Sequence, residues 1–455
     1  MPALTEYKLG SPEQLHDLAI EESLSRKTAI QRRLSYYKGE HKKWLIDPET
    51  KQPTAENVTI NVARKIIDQS DSFLFGDSPD ITSGDKTIDV LIESLEDANE
   101  DDVFYTNLGK AGSISGHAFV KLIPDPVRGV RWVMQDAELV SVFWSPSDGK
   151  TPVAYKIEWQ VGKDDYRQDI AWIPEISKWF IRDLKREDKG SWQIVKDTVW
   201  EWPFSPIVDW QNLPDFTSYY GESDLTSLDL NDSINFTASN INLILKYNAH
   251  PKTVLIGATG EDIKETAVGG LWSIANENAT IHNLEMASDL SSSMNYLQFL
   301  QASFYSQEQA VDLASMKDRI GQLTNFGLRT LFSDALSKNS IKQLLYGYGI
   351  KEIIYRSLVM MGHKVDPRNI DVKFEDPLPQ NDQEIADMVK LQIESGTVSK
   401  QTGSEMEGHD WAVESKQMTT EKQSTAGDIG KMLADAARQT DIQNQPVDST
   451  QVMNE

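Results

Sequence analysis

The chain has 455 residues, no cysteine and a formal net charge of −25, with 39% hydrophobic and 25% charged residues. That length supports about two to four modules with sizeable cores, and the lack of cysteine excludes disulfide frameworks and thiolate metal sites. An acidic balance argues against tight phosphate neutralisation, so the charge reads either as a solvated exterior or as a wall that repels DNA.

The N-terminus lacks the basic and apolar regions of a signal peptide, and no apolar run approaches the roughly 18 residues of a spanning helix. A soluble product without a membrane partner is therefore expected. Residues 11–38 form an amphipathic pattern in which Ser11 caps, Pro12 fits the first turn, Gln14 completes a capping box and Gly39 ends the helix. Further helices are predicted over Asn61–Phe75, Lys86–Ala98 and Asp101–Lys110. At His117 the period changes to two. Strands are predicted over His117–Ile123, Val130–Gln135, Leu139–Trp144, Val153–Val161, Asp169–Ile173, Lys178–Asp183 and Ser191–Trp202, separated by turn signals such as Ser147-Asp148-Gly149. Many tryptophans fall here, and core or interface packing explains them better than a carbohydrate platform.

From Ser223 the helical period returns. Ser223-Asp224 is predicted to cap a helix that runs to Asn248, with Pro251 as its terminator. Residues 253–286 read as a small α/β insert: strands Thr253–Ile256, Leu271–Ile274 and Thr280–Glu285, with a short helix Glu261–Ala267. Asp289 opens a second long helix to about Leu313. A polar stretch, 314–322, leads to the longest helical pattern, Leu323–Met361, with Phe326, Leu331, Leu336, Leu344, Leu345, Ile353, Ile354 and Leu358 as its apolar stripe. Gly347 and Gly349 predict a bend or break in it. Val372–Phe374 reads as a strand, and a helix from Asn381 to Glu394 precedes a polar tail that lacks residues to bury.

No P-loop, dinucleotide fingerprint, nucleophile elbow or zinc-protease motif is present. The seven histidines are scattered without ligand spacing, and adjacent acids such as Asp101-Asp102 face different ways on a helix. Neither an enzyme nor a cofactor is indicated. A glycoside-cleaving protein would need two convergent carboxylates, and nothing pairs any two. Helices amphipathic on one stripe only must turn their other faces to water or to a like subunit, as at the wall of a ring.

Several stretches carry a more specific likeness: Tyr36-Tyr37-Lys38-Gly39-Glu40-His41, Asn57-Val58-Thr59-Ile60-Asn61, Phe73-Leu74-Phe75-Gly76, Trp202-Pro203-Phe204-Ser205-Pro206-Ile207-Val208, Leu323-Thr324-Asn325-Phe326-Gly327-Leu328 and Asp376-Pro377-Leu378-Pro379-Gln380-Asn381-Asp382. In this order they resemble the portal proteins of tailed bacteriophages of the siphophage type. The resemblance implies an α+β portal architecture assembled as a ring, usually of twelve subunits. It implies a wing at 1–222, stem helices at 223–249 and 288–313, and a clip at 250–287. A tunnel loop at 314–322 follows, then a long kinked wing helix and return strand at 323–379, and a helical crown with a tail from 380. Met316, Lys317, Arg319 and Gln322 would face double-stranded DNA, with Lys317 and Arg319 touching phosphate transiently. Thr259, Glu261, Asp262, Lys264 and Glu265 would dock the terminase large subunit and later the head–tail connector. The family also implies contact with capsid and scaffolding proteins and a place at the capsid vertex. Another ring-forming tail or baseplate protein is the alternative that shares most of these features.

Overall fold

The computed structural model describes Leu4, Tyr7 and residues 14–188, 190–249, 252–256, 263–264, 273–274, 280–284, 290–313, 325–378, 382–406, 408–409 and 411–420. The chain divides into two units, Met1–Leu378 and Pro379–Glu455.

Helices open the first unit. Helix α1 (Gln14–Lys38) ends at Gly39, whose φ of +85° is a left-handed turn that glycine adopts without a Cβ clash. The cap predicted at Ser11 and Pro12 lies outside the described residues. Helix α2 (Val62–Phe75) starts from Asn61, which accepts the Arg64 N–H at 2.9 Å. A short strand β1 (Asp80–Thr82) leads to α3 (Lys86–Ala98), capped by Asp85, and to α4 (Asp101–Ser115), one turn longer than its pattern suggested.

The period-two region folds as antiparallel strands. They are β2 (His117–Asp125), β3 (Gly129–Met134), β4 (Val140–Trp144), β5 (Pro152–Val161), β6 (Asp164–Ile173), β7 (Lys178–Glu187), β8 (Gln193–Val199) and β9 (Ile207–Gln211). Strands β4 to β8 form a five-stranded meander, while β2 lies between β3 and β9 in a separate sheet. Cross-strand ion pairs hold the meander's register: Arg186 meets Asp165 opposite it at 2.7 Å, and Arg182 meets Asp197 on β8 at 2.8 Å. Trp132, Trp144, Trp179, Trp192, Trp200 and Trp210 are buried. Trp200 and Trp202 are tilted 58° to one another with Trp200 inside, so they pack and form no open platform.

Helix α5 (Leu228–Ala249), strands β10 (Lys252–Ile256), β11 (Ile263–Lys264), β12 (Ser273–Ile274) and β13 (Thr280–Leu284), and helix α6 (Leu290–Gln307) come next. Strands β10 and β13 pair antiparallel, Lys252 opposite Leu284 and Ile256 opposite Thr280, and α5 packs on α6. Among its described residues the insert differs from its sequence reading at one point. Ile263–Lys264 pairs as a strand with Ser273–Ile274 where a helix was expected; a β-branched residue and the supply of a partner edge favour the ladder.

The long helical pattern is interrupted, and not where the glycines lie. Helix α7 (Asn325–Leu331) stops at Phe332, and α8 (Ser333–Met360) then runs without a break through Gly347 and Gly349. The Phe332 ring is buried beside Phe73, 5.6 Å between centroids, which fixes the interruption there. Gly349 is required for packing: a Cβ there would overlap the Trp210 ring. Strand β14 (Asp371–Lys373) pairs with β1. The main core lies between α2, α3, α4, the β3-β2-β9 sheet and α8, with Tyr105, Leu108, Val120, Trp132, Tyr346 and Ile354 all buried. In the second unit, α9 (Asp382–Glu394) packs on α10 (Lys400–Met406), where Gly403 leaves room for Val389 and Ile393. Residues 411–420 are helical.

Candidate functional site

The described residues hold their densest buried polar chemistry where α5 begins, α6 ends and α8 passes. Asp224 is fully buried, and the Lys342 ammonium donates to its Oδ2 at 2.9 Å. The same ammonium donates to Ser113 Oγ at 2.7 Å and Ser70 Oγ at 2.9 Å, which uses all three of its protons. Asn212 Nδ2 supplies Asp224 Oδ1 with a further bond at 3.1 Å, and Tyr346 donates to Asn212 Oδ1 at 3.0 Å. Burial alone would raise the Asp224 carboxyl, but the Lys342 and Lys338 charges outweigh it and hold the group far below the usual range. Burial also lowers Lys342, against the pull of Asp224.

The sequence placed Ser223-Asp224 as the cap of α5. The helix starts four residues later, at Leu228, because Asp224 is drawn inward to Lys342. A carboxylate from beyond α6 takes the cap's place: Glu308 accepts the N–H groups of Thr226 at 2.9 Å and Ser227 at 2.6 Å. Lys338 donates to the Glu308 backbone carbonyl at 2.7 Å. The two ends of the helix pair are thus joined to one another and to α8.

Along α5 a second polar set reads the backbone of the segment before α2. Asn231, Asn235, Ser239, Asn242 and Lys246 lie on one face at steps of three or four. Asn231 Oδ1 accepts the Ala63 N–H at 3.2 Å, and its amide donates to the Ile60 carbonyl at 3.1 Å. Asn235 accepts the Ile60 N–H at 2.7 Å, Ser239 accepts the Val58 N–H at 3.0 Å, and Asn242 donates to the Glu56 carbonyl at 3.0 Å. Lys246 pairs with the Glu56 carboxylate. His41 closes the set. Its Nδ1 accepts from Asn231 and Asn235, and its Nε2 donates to the Tyr36 carbonyl at 3.1 Å, while burial lowers its pKa. Two of the stretches singled out in the sequence, Tyr36 to His41 and Asn57 to Asn61, therefore meet on α5. The asparagine spacing at i, i+4 and i+11 was the available signal for this face, and apolar periodicity passed over it.

A cleft of about 560 Å³ lies between the 148–150 turn and the 215–219 loop, with His117, Asp209 and Tyr219 in its lining. Asp209 accepts from Tyr155 at 2.8 Å, from His117 Nε2 at 2.9 Å and from Tyr219. Burial would raise the Asp209 carboxyl, yet His117 and the two phenols keep it low, while burial and then the Asp209 charge raise both phenols. The set cross-links β2, β5 and β9 to the loop. Among the described residues no three His, Asp or Glu side chains are grouped to hold a metal, and no helix is long and apolar enough to cross a membrane.

The profile of the family described as "Phage portal protein, SPP1 Gp6-like" matches residues 16–428. The chain belongs to the phage portal protein family. That family is one of structural proteins, not enzymes. A solved structure titled "Neck of empty GTA particle computed with C6 symmetry" is similar at a TM-score of 0.53 and 14% identity, covering 84% of this chain and 94% of that one. A second, "Neck of native GTA particle computed with C12 symmetry", has a TM-score of 0.44 at 13% identity, covering 77% and 90%. No curated protein matches. The mixed helix-and-sheet architecture is accordingly a portal fold.

Within this portal chain the expected contact residues fall largely outside the description. Met316, Lys317, Arg319 and Gln322 are outside the described residues, as are Thr259, Glu261, Asp262 and Glu265. Lys264 pairs with Ser273 in β11–β12. The described residues stop at Leu313, after α6, and within the insert β10 and β13 pair with one another.

Proposed function

We propose that this portal protein is one subunit of a closed ring, of twelve copies in the virion, that forms the DNA channel at a capsid vertex. In this reading α5 and α6 are the stem, residues 250–287 the clip and 314–322 the tunnel loop. Residues 1–222 and 323–379 make the wing, and the chain from 380 makes the crown. The clip, through Thr259, Glu261, Asp262, Lys264 and Glu265, docks the terminase large subunit during packaging and the head–tail connector afterwards. The tunnel loop presents Met316, Lys317, Arg319 and Gln322 to double-stranded DNA, and the wing meets capsid and scaffolding proteins. Packaging, retention and ejection of the genome all pass through this one opening.

The family match along 16–428 carries the reading. The α5/α6 pair supports it, since both helices leave from one buried polar root and end in a short paired-strand insert. Exposed Ile341, Leu344 and Tyr348 on α8 give apolar surface that assembly would cover. Electron microscopy of the purified chain should show rings with a central hole, and native mass spectrometry a closed oligomer. Monomer alone at micromolar concentration would refute the proposal.

A further inference from the structure

Charged residues make up 25% of the chain, and acids outnumber bases by 25. Helix α6 departs from that composition completely. Its 18 residues, Leu-Ser-Ser-Ser-Met-Asn-Tyr-Leu-Gln-Phe-Leu-Gln-Ala-Ser-Phe-Tyr-Ser-Gln, include no charge. Only Leu300, Phe304 and Tyr305 are buried, and Ser292, Met294, Asn295, Tyr296, Gln298 and Phe299 are exposed. A solvated helix normally carries charges on its open face. Helix α5 adds three charged residues in 22, and each is ion-paired away from α6: Asp229 and Asp232 with Arg32 of α1, and Lys246 with Glu56. The exposed aromatics Tyr296 and Phe299 stack on one another, 6.4 Å between centroids.

We infer that α6 is a neutral section of the DNA channel, along which duplex DNA passes with neither ionic attraction nor ionic repulsion. The inference rests on the channel reading above. It does not depend on how α6 is rotated in the ring, because every face of the helix lacks charge. Adhesion to DNA grows with each phosphate that a cation neutralises, and a ring multiplies any one cation by the number of subunits. A carboxylate would be multiplied in the same way and would oppose entry. Serine, asparagine and glutamine avoid both, since they exchange hydrogen bonds with water and phosphate at small net cost. The acidic excess therefore does not act through this helix.

Rings mounted singly in a solid-state pore, with voltage-driven passage of duplex DNA, test this. The Lys317→Ala plus Arg319→Ala ring removes the loop cations. Its DNA dwell time should change less than about twofold between about 0.1 M and 1 M salt. Adding Gln298→Lys, or Asn295→Lys as an independent exposed site, should lengthen the dwell at low salt and leave it unchanged at high salt. The salt slope should steepen by roughly 0.9 for each phosphate engaged. Steep salt dependence in the loop-cation variant would overturn the inference, as would both lysine variants matching it at every salt concentration. Either result, in rings that microscopy shows to be intact and open, leaves the portal reading standing. Absence of any ring would remove that reading itself.

Discussion

Replacing Lys342 with methionine keeps most of the side-chain volume and removes the one ammonium that touches Asp224. The side chains of Lys342 and Asp224 are 1% and 0% exposed, and their contact is 2.9 Å. The Lys338 ammonium is 3.7 Å from the other carboxylate oxygen and donates to the Glu308 carbonyl, so it attracts Asp224 by charge without a hydrogen bond to it. Lys342→Met leaves a buried carboxylate with Asn212 and Ser70 as its close neutral donors, and it takes the ammonium away from Ser70 and Ser113. Breaking a buried pair from one side costs about 3–5 kcal/mol, on the order of a thousandfold in the folding equilibrium. Asp224→Asn strands the ammonium and should cost a similar amount. The double variant should lose at least about 2 kcal/mol less than the sum of the two. Urea unfolding followed by tryptophan fluorescence at one fixed subunit concentration measures all three. Since the Asp224 carboxyl is held low, the pair's contribution is present above the unfolded carboxyl range and fades only as pH falls below about 4. A single variant within 1 kcal/mol of wild type, or strictly additive effects, would refute the assignment.

Gly349→Ala should destabilise by about 1–3 kcal/mol despite alanine's better helix propensity, because the new methyl meets the Trp210 ring. Gly347→Ala on the same helix meets only Phe374, at 3.4 Å, and should be neutral or stabilising; thermal midpoints of the two distinguish steric from propensity effects. Burial raises the Asp71 carboxyl to about 7, so between about pH 4 and 7 the folded chain keeps a proton that the unfolded chain gives up. Stability should therefore fall as pH rises through that window. Asp71→Asn should remove on the order of 2–4 kcal/mol of that fall, and urea midpoints at about pH 5 and pH 8 check it. Glu96, raised by burial to about 7 with the same sign, keeps part of the slope in the variant.

Local chemistry was legible and distant pairing was not. Asn61 and Gly39 marked helix ends because each acts on its own backbone within a few residues. The meander was legible because its strands are rich in Val, Ile, Trp and Phe and the connecting turns carry Asp, Gly and Pro, although β4 is buried throughout and β8 is largely exposed. Strands β1 and β9 were missed: β1 is three residues long, and β9 follows two prolines that read as loop. The predicted stripe included Phe326, on α7, and Leu344, on α8, yet these are 81% and 75% exposed, while Lys338 and Lys342 of α8 turn inward. An apolar count cannot foresee that, because the reason is Asp224, more than a hundred residues earlier. The contact segments were legible only through resemblance: a short polar loop has no periodicity of its own.

The inward lysines also explain how α8 keeps its register against the stem root. A buried ion pair adds little net stability compared with an apolar pair of similar volume, so stability alone is a poor reason to keep one. Its effect on misplacement is larger. Sliding α8 by one turn, 5.4 Å, exchanges each residue with the one four positions away. In one direction Lys338 takes the place of Lys342, and Lys342 moves to where Tyr346 meets Asn212, away from its bonds to Ser70, Ser113 and Asp224. In the other direction Tyr346 arrives at Asp224, and Lys342, now in the place of Lys338, stands no closer than the 3.7 Å at which Lys338 lies and loses its bonds to Asp224, Ser70 and Ser113. Each slip breaks the hydrogen bonds that Lys342 makes in register and leaves buried charge short of partners, at a cost of several kcal/mol, whereas an apolar stripe of leucines and isoleucines would tolerate it. Slips by fewer residues turn both lysines off the root's face and leave Asp224 and the Glu308 carbonyl without them. Because Asp224 precedes α5 and Glu308 follows α6, the same two lysines that set α8 also set where the stem helices start and stop.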